Sequence, residues 1–246
     1  MLPPEHMTFI AAMTLLLVSP ATGAFLKLWA DRASENLALF NRASSCDHCG
    51  KPLRSRDLVP ILSWLMARGK ARCCDGRIKP DLLRAEICAV LLATWGILAM
   101  PDVYWLQTLI VAYLLQGIAL LSAPDRIAAA GLAIILTSLA LVWSVIGLLG
   151  PNEEHLLGAL VGGSLAAFGI LDRLRGAPTH LLLPAGALLG VAALPSALFL
   201  GLGIALLHRC WTYKSSHAGT PYTTSLAIGL AGGIWLVWLY GPTLGL

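Results

Sequence analysis

The sequence predicts an all-α polytopic membrane protein of about eight transmembrane helices with a cytoplasmic, cysteine-containing loop domain. Three observations carry that reading. Apolar runs of roughly 20 residues recur along the chain, each long enough to cross a bilayer. The chain is 57% hydrophobic and 12% charged, with a mean hydropathy of +0.76; a soluble domain carries about twice that charge fraction. Finally, 11 of the 17 Lys and Arg residues fall between positions 31 and 84, so one basic loop fixes the orientation. A soluble all-α protein is the blander alternative. A β-barrel is disfavoured because the runs are continuous rather than alternating.

The division that follows is residues 1–30 as a first transmembrane helix, 31–84 as a cytoplasmic loop domain, and 85–246 as a seven-helix membrane domain. The first apolar run, 9–29, also admits a signal peptide. Its charged flank, Lys27 and Arg32, lies after the run, which argues for a span with the N-terminus outside. Further runs cover about 85–100, 103–123, 127–149, 156–171, 180–207 and 222–240. The 28 residues from 180 to 207 are read as two short helices, because Gly190 and Pro195 bracket a tight turn. A polar joint, HRCWTYKSSHAGTP, is expected after them.

Eight spans give a consistent charge pattern. Joints placed in the cytoplasm hold Arg126, then Arg173 and Arg175, then Arg209 and Lys214. Joints placed outside hold Asp102, Glu153 and Glu154 and no Lys or Arg. This obeys the positive-inside rule. The basic excess suits anionic lipid, and nothing in it suggests nucleic-acid binding. The small residues of GALVGGSLAAFG, PAGALLG and AIGLAGG are read as close helix contacts in lipid.

Two constellations can do chemistry. Cys46-Asp47-His48-Cys49 is a C-x-x-C knuckle followed by Gly50, and Cys73-Cys74 lies 24 residues on, before Asp75-Gly76. Four thiolates from two knuckles make a tetrahedral zinc site. The first pair has the spacing for it. The second is irregular, because adjacent side chains rarely point at one ion, and His48 or water is an alternative fourth ligand. Reduced thiols in a self-packed loop remain the other reading. The second constellation is acidic. Asp125 and Asp172 both fall at cytoplasmic ends of spans, on different helices. Brought together, two carboxylates share a proton; one then activates water while the other protonates a scissile carbonyl. The alternative is that each caps a helix and faces water.

At this point the chain resembles the bacterial prepilin peptidases, the type IV leader peptidase family. The resemblance rests on GAFLKLWADR (23–32), on CDHCGKPLRSRDLVPILSWLMARGKARCC, on Glu86 opening the next span, on GALVGG (158–163), on PAGALLG (184–190) and on Gly219-Thr-Pro-Tyr. It implies an eight-span inner-membrane aspartic endopeptidase that cuts leaders from prepilins or pseudopilins on the cytoplasmic side. It also implies a structural zinc, S-adenosylmethionine where the new terminus is methylated, and a type IV pilus or type II secretion system as partner. The first catalytic Asp carries over to Asp125. The Gly-x-Gly-Asp of the second is absent: counting back from Gly186 and Gly190, its Asp falls on Pro178, and Asp172 lies six residues earlier. The third zinc-loop Cys likewise falls on Ala71, with Cys73 offset. Either Asp172 serves in a shifted register, or the chain is a catalytically degenerate homologue that binds pilins or assists assembly. A small-molecule transporter is a weaker third class, since the acids sit at span edges.

Overall fold

The structure, a computed structural model, describes residues 4–37, 44–46, 48–149, 152–167, 178–215 and 222–244. It is all-helical. Among the described residues eight α-helices follow in order: α1 (Pro4–Ser34), α2 (Leu62–Met66), α3 (Asp81–Ala99), α4 (Trp105–Leu121), α5 (Arg126–Val145), α6 (Asn152–Ala167), α7 (Leu182–Ser215) and α8 (Tyr222–Leu244). Among the described residues, six helices are long and apolar enough to cross a membrane: Thr8–Ser34, Asp81–Ala99, Asp102–Leu121, Arg126–Val145, Thr179–Thr212 and Thr224–Gly241. Helices are the expected answer, because a chain in lipid must satisfy its backbone polar groups within each segment.

Residues 1–113 and 114–246 form two compact units. In the first, α1 packs on α3. The buried positions of α1 are Ala12, Ser19, Gly23, Leu26 and Ala30, and those of α3 are Ala85, Glu86, Ala89, Ala93 and Gly96. Both sets recur at helical spacing, and nearly all are small. A Cβ on Gly23 would collide with the backbone of Ala85 and the side chain of Ala89, so the two helices approach backbone to backbone. Tyr113 donates from its hydroxyl to Ser19 Oγ at 2.7 Å, and Ser19 donates in turn to Leu15 O at 2.6 Å. A buried hydroxyl pair is thereby satisfied. The Trp105 indole N–H donates to the carbonyls of Ile97 and Met100, which otherwise end α3 without partners.

In the second unit, α7 packs against α6, α8 and α5. The α6 face is a glycine seam. A Cβ on Gly158 would overlap Gly186 O, one on Gly162 would overlap Leu182 O, and one on Gly186 would overlap Gly158 O. A second seam joins α7 to α8: Gly201 lies on Gly229 and Leu230, and Gly233 on Ala197 and Gly201. Both pairings are antiparallel. α5 turns Ala129, Leu132, Ala133, Leu136, Thr137, Ala140 and Ser144 inward, while Ile127, Ile134, Val142 and Val145 stay exposed. Lipid tails solvate such aliphatic faces, so the helices associate through close packing of small residues rather than through water exclusion.

Gly190 carries a break, with φ 76° and ψ 176°. It divides α7 into a short first piece and a long second one, at the glycine expected to turn. Pro195 lies inside the second piece rather than at its boundary. The helix also continues through Ser215, so most of the joint expected at 208–221 is helical, a correction that follows from the absence of Gly or Pro in IALLHRCWTYKS.

The seams generate a paired prediction. Gly158→Val drives a β-branched side chain into the backbone of α7 and should destabilise the folded protein in detergent by about 1–3 kcal/mol. Gly203→Ala, where a Cβ meets nothing within 4 Å, should stay within about 0.5 kcal/mol of the parent. Denaturant titration followed by circular dichroism reads both.

Candidate functional site

The loop between α1 and α3 is built on two short hairpins with the same hydrogen bonds. In the first, Ser45 bridges Pro52, Cys46 N donates to Lys51 O, Gly50 N to Cys46 O, and Leu53 N to Ser44 O. In the second, Lys70 bridges Arg77, Ala71 N donates to Gly76 O, Asp75 N to Ala71 O, and Ile78 N to Gly69 O. Each bond of the second repeats one of the first 25 positions on. Gly50 and Asp75, equivalent in this register, both take positive φ, 68° and 55°. Ala71 therefore stands where Cys46 stands, Cys74 where Cys49 stands, and Cys73 where His48 stands.

The hairpins bring four sulfurs together. The Sγ atoms of Cys46, Cys49, Cys73 and Cys74 all lie within 4.8 Å of one another. Cys49–Cys73 is 3.2 Å, Cys46–Cys74 3.8 Å and Cys73–Cys74 3.9 Å. Tetrahedral zinc with Zn–S bonds of about 2.3 Å needs sulfurs about 3.8 Å apart, so the set fits. Adjacent Cys73 and Cys74 do reach one point, because the tight turn before Asp75 swings both thiols to the same side. His48 is not part of the set: its Nε2 is 2.8 Å from Arg77 O, and its ring packs where a side chain on Gly76 would stand. It joins the two hairpins instead.

The sulfurs are electrostatically unequal. Backbone N–H groups of His48 and Cys49 draw the Cys46 thiol down to about 6. Hydrogen bonding to Cys49 and Cys46 pushes the Cys73 thiol up to about 12. Cys46 is the natural thiolate, and Cys73 holds its proton beside it. A divalent cation replaces those shared protons with one charge that all four sulfurs can face.

Two further contacts hold the loop. Asp57 Oδ1 accepts from Arg72 at 3.1 Å. Glu86, buried in α3, accepts from the N–H of Ile61 at 2.6 Å. Ile61 has φ 60° and ψ −55°, a strained conformation for a β-branched residue, and the bond to Glu86 falls on that same residue.

The acidic constellation lies at the joint between α4 and α5. Asp125 is the N-cap of α5, its Oδ1 accepting from Ala128 N at 2.9 Å. Asp172 lies outside the described residues. Pro178, at the counted position of the second acid, is fully buried. Two residues later His180 meets the joint: its Nε2 is 2.9 Å from Ser122 Oγ, which donates to Ile118 O. Sequence reasoning missed this pair. The available signal was a lone His at the mouth of a span, facing a Ser three residues ahead of Asp125.

The family described as "Bacterial Peptidase A24 N-terminal domain" matches residues 17–100, which contain the second half of α1, both hairpins and α3. A "Prepilin leader peptidase/N-methyltransferase" of Klebsiella pneumoniae is 29% identical over 207 residues, covering 78% of this chain and 91% of that protein. One of Dickeya chrysanthemi is 30% identical over 207 residues, covering 76% and 72%. One of Stutzerimonas stutzeri is 26% identical over 243 residues, covering 87% and 78%. No solved structure matches. The hairpin loop and the helices around it are thus shared with relatives along most of both chains, and the protein belongs to the prepilin leader peptidase/N-methyltransferase family.

Proposed function

We propose that this chain is a membrane aspartic endopeptidase of the bacterial inner membrane. It cuts the leader from a type IV prepilin or pseudopilin at the cytoplasmic face, with Asp125 and Asp172 as its two acids. The observation that supports this best is the Ser122–His180 contact. It ties the joint ending in Asp125 to the start of α7, eight residues after Asp172. One carboxylate takes a proton from water, whose oxygen attacks the carbonyl carbon. The other gives a proton to the carbonyl oxygen; the C–N bond then breaks and the amine leaves protonated. The partner is the pilus or type II secretion apparatus that uses the product.

Eight crossings suit this reading: α1, α3, α4, α5, α6, α7 counted as two, and α8. The division of α7 rests on charge: the joint charges obey the positive-inside rule only when it is divided. Residues 31–84 then lie in the cytoplasm and the N-terminus outside.

Zinc is the metal we assign to Cys46, Cys49, Cys73 and Cys74, and its bound role is a structural crosslink between the hairpins. The relatives' name also carries a methyltransferase activity. The groove of the loop domain, lined by Arg56, Val59, Leu62, Ser63, Met66 and Arg72, does not fit S-adenosylmethionine: the sulfonium is cationic and the groove offers it two guanidinium groups. We route no methyl transfer through it.

A second reading, a degenerate homologue that binds pilins or assists assembly, is favoured by two observations: Asp125 serves as a helix cap, and a buried Pro178 holds the counted acid position. Asp125→Asn separates the two. Asn caps as well as Asp, so α5 is kept while the acid is lost. With purified protein and a prepilin, cleavage should fall by a factor of about 10² to 10⁴. Equal cleavage by parent and variant would remove Asp125 from the reaction; binding without cleavage by the parent would establish the degenerate reading.

The hairpin register gives a metal prediction. Zinc per chain, measured by mass spectrometry of the metal, should fall in Cys73→Ala. It should recover when Ala71→Cys is added, since position 71 stands where Cys46 stands. Zinc should also leave on acidification, because protons return to thiols that the metal had displaced them from.

A further inference from the structure

The groove of the loop domain has no part in the reading above. It encloses about 450 Å³. One wall is apolar and open. Leu62 is 57% exposed and Met66 74%, and Leu58, Val59 and Leu65 extend the same exposed surface. Five exposed apolar side chains within nine residues form a patch rather than scattered exposure, and such patches mark contact surfaces. The neighbouring Trp64 instead turns its ring onto Gly69, inside the loop. The other wall carries Arg56 and Arg72, the latter oriented by Asp57.

We propose that this groove binds an anionic phospholipid of the membrane in which the protein sits. The headgroup phosphate lies on Arg56 and Arg72, and an acyl chain runs along Val59, Leu62 and Met66. α2 then lies in the interfacial layer.

Depth favours lipid over a soluble partner. α3 has 19 residues, a length of about 28 Å, close to the roughly 30 Å of a hydrocarbon core. Asp81 therefore marks the level of the headgroups. Glu86 lies five residues further in, about 7.5 Å along the helix. Its hydrogen bond to Ile61 N draws the residue that precedes α2 down to the layer where α3 enters the apolar core. The exposed side chains of α2 begin at the next residue, so they meet headgroups and acyl chains rather than bulk water. Charge agrees: guanidinium forks pair with phosphate oxygens, and the cytoplasmic leaflet is anionic. Apolar side chains beside basic ones are the composition of segments that lie in this layer. The proposal depends on the topology above only for the choice of leaflet.

The test uses the full chain with a benzophenone amino acid in place of Met66, reconstituted in phosphatidylcholine liposomes with or without phosphatidylglycerol. Irradiation should give a phosphatidylglycerol adduct by mass spectrometry. Arg56→Ala should reduce its yield about fivefold, the effect of one basic residue at an anionic surface. Free inorganic phosphate should not compete. The same probe at Leu98, 80% exposed on α3, supplies the lipid-facing control. Lipid capture at Leu98 with none at Met66 overturns the proposal. So do equal yields in neutral and anionic liposomes, loss of the adduct to free phosphate, or capture of an added prepilin peptide at Met66 instead of lipid. None of these outcomes depends on peptidase activity, so the lipid site and the proposed hydrolysis fail separately.

Discussion

Close backbone approach is the constraint on which the membrane part of this protein depends. In lipid, one aliphatic surface gains little by leaving acyl chains for another, so helix association needs short distances and many contacts. The chain supplies them with glycine and alanine at the seams: Gly158 and Gly162 against Gly186 and Leu182, Gly201 and Gly229 between α7 and α8, and Gly23 against Ala85 and Ala89. Large apolar side chains are sent outward in compensation, as at Ile127, Phe199 and Leu207. The apolar bulk that would fill the core of a soluble protein here faces lipid.

The loop between α1 and α3 solves a different problem. Its segment has little apolar mass to bury, since most of its hydrophobic side chains are exposed. Order comes from point attachments: four sulfurs from two hairpins, the His48 bond to Arg77 O, the Asp57–Arg72 pair and the Glu86–Ile61 bond. A metal at the sulfurs would add a crosslink whose binding energy acts as folding energy. The repeated hydrogen bonds explain how the third sulfur can move from the position of Ala71 to Cys73. Both positions lie on one tight turn, which folds them toward the same point.

At the joint before α5, one side chain caps a helix and is also the acid of the proposed chemistry. Asp125 starts its helix by accepting from Ala128 N, an ordinary task for an aspartate at an N-cap. A capped carboxylate is also a carboxylate held in one direction, which is what a general acid or base needs. Ser122 and His180 bind the joint to α7, so the orientation of Asp125 depends on contacts made well away from it in sequence.

The class of the protein and its family were legible in the sequence, as were the six long apolar helices, whereas eight spans were expected. Apolar run length is a local property set by bilayer thickness, and the motifs GAFLKLWADR and CDHCGKPL lie in continuous stretches. The break at Gly190 was legible in part: a turn was expected between Gly190 and Pro195, and of the two only Gly190 leaves the helix, at φ 76°. Three things needed the fold: whether Cys73 and Cys74 face one point, which side chain meets Ser122, and that Ile61 is held by Glu86. Each joins residues whose spacing has no periodic signature, between 25 and 58 positions apart in the last two cases. The sequence alone determined what the helices must be, since lipid leaves the backbone no other choice. Only tertiary structure decided which polar groups meet, because that depends on the rotation and depth of each helix against its neighbour, which glycine seams set and residue order does not.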